Sequence, residues 1–199
     1  NPVNDAPVLS HPGGQIIDED GSLTIDLLAS DVDGDELTFS ASTDNNATID
    51  VVGSSLTVTP ALNYYGSISV GVAVYDGYLS DSTGFWLNVT PINDAPELGN
   101  LADAEVDEDN TYTLELSGAD VDGDALTFQA NVDGNGYVSV EGSTLTLEPG
   151  QDFNGDLTVS VIASDGQASG SGTFTLTVTP VNDAPVITSL DNQAIDEDT

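Results

Sequence analysis

The stretch ISVGVAV, residues 68–74, has an apolar side chain at every second position. Side chains two residues apart point to the same face of a β-strand, so this stretch predicts a strand with one buried face. The same alternation recurs in residues 23–27, 37–41 and 85–89. Apolar residues do not recur at helical spacing in any stretch of the sequence, so we predict an all-β chain.

The sequence also repeats itself at a constant spacing. The motif PVNDAP begins at Pro2, recurs as PINDAP at Pro91 and returns at Pro180, 89 residues apart each time. A fixed period indicates a repeated structural unit, and this period is long enough for a small domain with its own core. We predict one repeat over 1–91, a second over 92–180 and the start of a third over 181–199. We therefore expect the chain to be a piece of something longer.

Each repeat contains about seven short alternating segments separated by Gly, Pro, Asn and Asp, which is typical of a two-sheet immunoglobulin-type Greek-key sandwich. A solenoid is disfavoured because its coils usually have shorter periods. The chain has no cysteine, so no disulfide holds the repeats together. The predicted strands of the first repeat, named A to G, cover 7–10 with 15–17, 22–28, 37–41, 47–52, 55–59, 67–75 and 83–90.

The charge of the chain is entirely one-sided. It has 35 Asp and Glu residues, no Lys or Arg, and a formal net charge of −35. Two carboxylates about 4 Å apart repel by roughly 4 kcal/mol at an effective dielectric near 20, so a compact state needs cations from solution. A surface without basic residues excludes nucleic acids and anionic membranes as partners.

The loop DVDGD concentrates this charge. Three aspartates at alternate positions, Asp31, Asp33 and Asp35, form an oxygen-rich loop of the kind that Ca²⁺ favours. The second repeat has the same loop at Asp120, Asp122 and Asp124. The alternative is an acidic, solvated turn without an ion. An EF-hand is excluded, because its sixth and twelfth positions require Gly and Glu and here are Glu36 and Ser42.

Strand order predicts where the other recurring acids lie. In such a sandwich, loops B–C and F–G lie at the N-terminal end, whereas loops A–B and E–F lie at the far end, beside the linker to the next repeat. We therefore expect several Ca²⁺ ions at each joint, with neighbouring repeats of the same polypeptide as partners. The expected ligands at the first full joint are Glu19, Asp20, Asn63, Asn93, Asp94, Asp120, Asp122, Asp124 and Asp165. Corresponding residues at the other two linkers are Asn4, Asp5, Asp31, Asp33, Asp35 and Asp76, and then Glu108, Asp109, Asp152, Asn182 and Asp183.

These motifs, in this order, resemble those of the cadherin family, and in detail the bacterial cadherin-like tandem repeats of giant secreted RTX and biofilm adhesins. The resemblance rests on Glu19, Asn63, the NDAP linker at 93–96, the DVD of 120–122 and Asp165-Gly166. It implies an extracellular or cell-surface spacer that Ca²⁺ stiffens. The chain departs from the family pattern at Pro91, Asn63 and Asn154, each of which replaces an acid, so we expect fewer ligands than the usual three ions require.

Other residues favour alternative functions. The exposed aromatics expected at Trp86, Tyr75 and Tyr78 align with Thr175, Ser164 and Gln167 in the second repeat, and stacking on a sugar ring or ordinary sheet-surface packing would explain them. The alternative function is a calcium-dependent adhesion module that binds carbohydrate or a like repeat on another cell. A third is a passive linker in a secreted hydrolase. An enzyme is not expected, because the acid sets recur at domain ends and the single histidine, His11, does not recur.

Overall fold

The computed structural model of the protein describes residues 3–185 and 187. The chain divides into two compact units, Asn1–Asn93 and Asp94–Thr199. Every regular element in the described residues is a β-strand, which confirms the all-β prediction. Across the same residues no helix is long and apolar enough to span a membrane. The predicted start of a third repeat, 181–199, lies outside the described residues except for 181–185 and 187.

Unit 1 contains nine strands, and all seven predicted segments A to G are strands. Predicted strand A is split between β1 and β2, and β4 is a short additional strand just after segment B. The strands are β1 (Val8–Leu9), β2 (Gln15–Asp18), β3 (Leu23–Asp26), β4 (Ala29–Ser30), β5 (Thr38–Thr43), β6 (Ala47–Val52), β7 (Ser55–Pro60), β8 (Gly66–Tyr75) and β9 (Ser80–Thr90).

Two sheets form the sandwich of unit 1. The four-stranded sheet has the order β2-β9-β8-β5 and the three-stranded sheet the order β3-β7-β6, while β1 pairs with β4. Strand β2 runs parallel to β9, and the other pairs are antiparallel. The two parts of predicted segment A therefore have different partners: β1 pairs with β4, and β2 pairs with β9. This is the immunoglobulin-type topology expected from the sequence.

The core of unit 1 lies between the two sheets, where the alternating apolar residues meet. Ile68, Val70, Val72 and Val74 are all at most 2 % exposed. They pack with Leu56 of the opposite sheet in one cluster. The residues between them point outward, as a period of two requires.

Unit 2 has the same strand order and its own core. Its four-stranded sheet is β11-β18-β17-β14 and its three-stranded sheet β12-β16-β15, while β10 pairs with β13. Leu145, Leu157 and Leu176 are fully buried in its core cluster. Its strands are β10 (Glu97–Leu98), β11 (Ala104–Asp107), β12 (Tyr112–Glu115), β13 (Gly118–Ala119), β14 (Thr127–Asp133), β15 (Gly136–Glu141), β16 (Thr144–Pro149), β17 (Gly155–Ser164) and β18 (Ser169–Thr179).

Candidate metal sites at the ends of the units

The DVDGD loop of unit 1 is wound around the carboxylate of Asp31. Oδ1 of Asp31 accepts hydrogen bonds from the backbone N–H groups of Asp33 at 2.9 Å, Gly34 at 3.0 Å and Asp35 at 3.3 Å. This turn brings one carboxylate oxygen of each of the three aspartates within 4.8 Å of the others. The loop therefore concentrates three negative charges at the end of the unit.

The N-terminal segment of unit 1 bonds to this loop and also to the β8–β9 loop. The backbone N–H of Asp5 donates to Oδ2 of Asp33 at 2.7 Å. Nδ2 of Asn4 donates to Oδ2 of Asp76 at 3.0 Å. Asp76 follows β8, so the N-terminal linker segment bonds both to the DVDGD loop and to the β8–β9 loop. Hydrogen bonds and short carboxylate distances thus link the six residues that the sequence predicts as ligands at this end. They are Asn4, Asp5, Asp31, Asp33, Asp35 and Asp76.

Asp76 is buried, and it is held in its charged form. Its Oδ1 accepts the N–H groups of Tyr78 and Leu79, both at 2.6 Å, and its residual exposure is 6 %. Burial alone would raise the pKa of Asp76, but the hydrogen bonds from Asn4, Leu79 and Tyr78 outweigh it and lower the pKa below its ordinary value. The group is therefore a carboxylate at neutral pH.

Unit 2 repeats the geometry of the loop. Oδ1 of Asp120 accepts the N–H groups of Asp122 at 3.0 Å and Asp124 at 3.3 Å. One carboxylate oxygen from each of the three lies within 4.8 Å of the others. The N–H of Asp94 donates to Oδ2 of Asp122 at 2.8 Å, as Asp5 does to Asp33. Asp165 accepts two backbone N–H groups at 2.6 Å, as Asp76 does.

A further acidic cluster lies at the opposite end of unit 2. One carboxylate oxygen each from Asp109, Asp152 and Asp183 lies within 4.8 Å of the others. Glu108 is only 6 % exposed, and its Oε1 accepts the N–H of Val181 at 2.6 Å. Burial, and then the charges of Asp109, Asp183 and Glu108, raise the pKa of Asp152 above its ordinary value. These carboxylates repel one another in the absence of a cation.

The same end of unit 1 has one acid fewer. Glu19 is 3 % exposed and accepts the N–H of Ile92 at 2.7 Å, and Oδ1 of Asp20 accepts the N–H of Asn63 at 2.9 Å. Asn63 occupies the position that Asp152 has in unit 2. The backbone of both residues is in the left-handed region, with φ of 55° and 54°. Asn and Asp tolerate this conformation better than other residues with a side chain. The backbone is thus the same in both units, whereas the charge differs.

The donor set fits Ca²⁺. Oδ2 of Asp31 and Oδ2 of Asp120 are buried and have no hydrogen-bond partner among the described residues. An unpartnered buried carboxylate oxygen is costly, and ligation by a cation removes that cost. Ca²⁺ takes six to eight oxygens from carboxylates, carbonyls, amides and water. Three carboxylates per cluster supply part of that number, so bidentate binding, backbone carbonyls or water would supply the rest.

The sequence did not predict several polar contacts, because these contacts have no equivalent 89 residues away in the other repeat. Asp81 accepts the N–H of Leu9 at 2.8 Å in unit 1, and Asp103 accepts the N–H of Thr175 at 2.7 Å in unit 2. Each bond ties the N-terminal part of a unit to the last strand of that unit. Nδ2 of Asn154 lies 3.5 Å from Oε2 of Glu108. Because Asp81 and Asp103 align with glycines in the other repeat, the search for recurring acids could not find them.

The three aromatics singled out in the sequence are all exposed on unit 1. Trp86 on β9 is 62 % exposed, Tyr75 at the end of β8 is 47 % exposed and Tyr78 in the following loop is 79 % exposed. Trp86 and Tyr75 point to the outward side of the four-stranded sheet, whereas Tyr78 lies beyond the strand. None of the three belongs to the acidic clusters.

The topology and the two separate cores define a tandem pair of immunoglobulin-like β-sandwiches. Residues 4–86 and 93–179 each match the model of the bacterial Ig domain family, and the chain belongs to that family. Domains of this kind are typically extracellular or surface-exposed and typically not catalytic.

Solved cadherin structures share this fold. The EC1-2 fragment of human protocadherin-24 is 17 % identical, with 92 % of this chain and 100 % of that chain covered and a TM-score of 0.55. Drosophila N-cadherin EC1-4 is 18 % identical, with 90 % and 50 % covered and a TM-score of 0.53. At these identities the likeness is one of fold, and it confirms the cadherin-like architecture expected from the sequence.

A curated relative is a much larger protein. Chitinase A of Pseudoalteromonas piscicida is 29 % identical over 185 residues, which is 88 % of this chain but 22 % of the chitinase. The chain therefore spans about a fifth of the length of the relative that it matches.

Proposed function

We propose that the chain is a calcium-dependent structural extender of a large extracellular protein, stiffened by Ca²⁺ at the joints between its repeats. The observation that supports this most strongly occurs in both units. In each DVDGD loop three carboxylate oxygens converge within 4.8 Å, and a buried oxygen of the first aspartate has no hydrogen-bond partner among the described residues. A chain without Lys or Arg has no cation of its own to neutralise these loops.

The proposed mechanism is mechanical. Ca²⁺ cancels the repulsion within each acidic cluster and connects the linker segments to the loops at the ends of the units. Extracellular calcium modules typically have dissociation constants of about 10⁻⁴–10⁻³ M. At 10 mM Ca²⁺ mass action would stabilise the bound state by about 1.4–2.7 kcal/mol per site. Such sites would be empty in the cytosol and filled outside the cell.

Two settings suit an extender. The resemblance of the linker motifs favours a giant secreted adhesin at a bacterial cell surface. The match to a segment of a chitinase supports the alternative of a spacer within a secreted polysaccharide-degrading enzyme. In both settings the chain itself catalyses no reaction, and its immediate partners are neighbouring repeats of the same polypeptide.

Thermal unfolding at fixed ionic strength tests the metal dependence. We expect 10 mM Ca²⁺ to raise the melting temperature by several degrees, and Asp31→Asn and Asp120→Asn each to reduce that rise. Asp50→Asn is the matched control, because Asp50 is an exposed strand residue outside the clusters and its substitution removes the same charge. An equal rise with Na⁺, or equal effects of all three substitutions, would mean that the acids act only through general screening.

Small-angle scattering of the whole chain tests the stiffening. We expect the scattering profile of a stiff rod in Ca²⁺ and that of a more flexible chain in excess chelator. Melting behaviour that responds to Ca²⁺ without a change in scattering would leave calcium binding in place and refute the extender mechanism.

A further inference from the structure

Three adjacent strands of the four-stranded sheet in unit 1, β9, β8 and β5, have no carboxylate on their outward side. The outward positions of β5, β8 and β9 are occupied by serine, threonine, glycine, alanine, asparagine and two aromatics, and by no Asp or Glu. We call this surface the uncharged face. Asp81 of β9 takes an inward position and accepts the N–H of Leu9. Other carboxylates lie at the margins of the face, at Asp18 in β2, at Asp76 directly after β8, and at Asp44, which accepts the N–H of Ser69 at 3.4 Å. In a chain of net charge −35, such a face offers an uncharged ligand a contact surface without a carboxylate.

Two aromatic rings stand on the uncharged face, about 20 Å apart. Five outward cross-strand pairs join β8 and β9. After Ser67–Asn88, the other four are Ser69–Trp86, Gly71–Gly84, Ala73–Ser82 and Tyr75–Ser80. From the pair that contains Trp86 to the pair that contains Tyr75 is six residues along β8, or about 20 Å. The hydroxyl of Tyr75 donates to the carbonyl of Gly77, which holds the ring in place. Tryptophan and tyrosine are enriched at binding interfaces, because each combines a large apolar ring with a polar group.

Glycines form the floor between the two rings. Gly71 and Gly84 are opposite each other, so no side chain rises from the centre of the ladder. A groove of about 300 Å³ lies beside this pair, with the hydroxyls of Ser40, Ser42 and Ser82 in its lining. Glycine weakens the interior of a strand, and its presence there often marks close approach by a ligand or another backbone.

Unit 2 provides an internal comparison, because it forms the same sheet without these features. Ser160 and Thr173 replace the glycine pair, and Thr175 and Ser164 replace the aromatics. The serines at 40 and 42 are replaced by the longer Gln129 and Asn131. The sheet of unit 2 thus forms without the tryptophan or the glycine pair. In unit 1, Gly71 makes room for Ser42, since a Cβ added at Gly71 would lie 2.9 Å from its Oγ. Trp86 is 62 % exposed, so its presence needs another explanation.

We propose that the uncharged face of unit 1 binds a neutral glycan chain, with one pyranose ring stacked on Trp86 and the chain crossing the Gly71–Gly84 pair toward Tyr75. A sugar ring with equatorial substituents presents its axial C–H groups to the electron-rich face of an indole. Serine hydroxyls along the groove both donate and accept hydrogen bonds, as sugar hydroxyls require. Acidic glycans are repelled by the net charge, and a cationic polymer would be drawn to the acidic ends instead.

Trp86 also supplies the assay, since it is the single tryptophan of the chain. We expect saturable changes in its fluorescence on titration with chitohexaose or cellohexaose, and depletion of the protein by insoluble chitin or cellulose at 0.15 M salt. Trp86→Ala should weaken depletion at least tenfold, and Tyr75→Ala less. Ser40→Gln, which places the residue of unit 2 beside the groove, should weaken it without removing a ring.

The control variant is Tyr137→Ala, which removes a 66 % exposed aromatic from the three-stranded sheet of unit 2 and should bind as the unsubstituted protein does. Thermal unfolding verifies that every variant is folded. If the protein bound none of the four glycans, or if Trp86→Ala left binding unchanged, the proposal would be overturned. Self-association that Trp86→Ala abolishes, without glycan binding, would show that the face contacts a second copy of the chain. Because no acidic cluster takes part, these outcomes are independent of the calcium proposal.

Discussion

The two units have the same interior and different surfaces. Leu56 and Leu145 occupy the same position 89 residues apart, and both are fully buried. By contrast, Trp86 on the outward side of one sheet is Thr175 in the other, and Asn63 at one end is Asp152 in the other. Conversely, the DVDGD loops are surface features that recur with the same hydrogen bonds. Agreement between the units thus indicates what the fold and the proposed metal sites require, and disagreement indicates what is particular to one unit.

The largest expected effect tests whether the two cores are separate. Leu56→Ala or Leu145→Ala should destabilise its own unit by about 2–5 kcal/mol, because each deletes buried methyl groups and leaves a cavity. Chemical denaturation followed by NMR resolves the two units, and only the substituted unit should unfold earlier. Equal shifts of both units on a single substitution would show that they unfold as one.

A smaller effect tests the turns that the units share. Gly53 and Gly142 have φ of 62° and 61°, and no atom lies within 4 Å of a Cβ added at either. Gly53→Ala and Gly142→Ala should each cost about 1 kcal/mol through backbone conformation alone. Denaturation midpoints of the single variants should fall equally in the two units. Gly→Asn at the same positions should cost less, and the opposite ranking would refute this explanation.

The smallest effect concerns the end where the units differ in charge. The raised pKa of Asp152 means that the folded state binds its proton more tightly than the unfolded state does. In chelator, the stability of unit 2 should therefore rise as the pH falls through this raised pKa, and level off below the ordinary value. Asp152→Asn should abolish that contribution, as measured by melting temperature against pH.

Asn63→Asp is the reciprocal variant, because it adds the missing acid to unit 1. It should lower the stability of unit 1 in chelator and increase the gain on addition of Ca²⁺. An Asn63→Asp variant with no change in either condition would contradict a role for this position in cation binding.

Much of the fold was predictable because alternation in sequence maps directly onto burial in a sandwich. Ile68, Val70, Val72 and Val74 were expected to face inward, and they do. The short strands β4 and β13 were not predicted, since two residues cannot show a period. We predicted that the last strand of unit 1 begins at residue 83, whereas β9 begins at Ser80. Residues 80–84 show no apolar alternation, and their place in the strand is set by backbone pairing with β8.

The sequence alone determined the repeat, the all-β class and the acids that recur at loop positions, because periodicity and composition are properties of the chain itself. Only the tertiary structure decided that one carboxylate oxygen of Asp31 and one of Asp120 are buried without a hydrogen-bond partner, since burial depends on segments distant in sequence. The structure likewise placed Trp86, the Gly71–Gly84 pair and Tyr75 along one face. Strand pairing, and not sequence spacing, decides which side chains of β8 and β9 are neighbours.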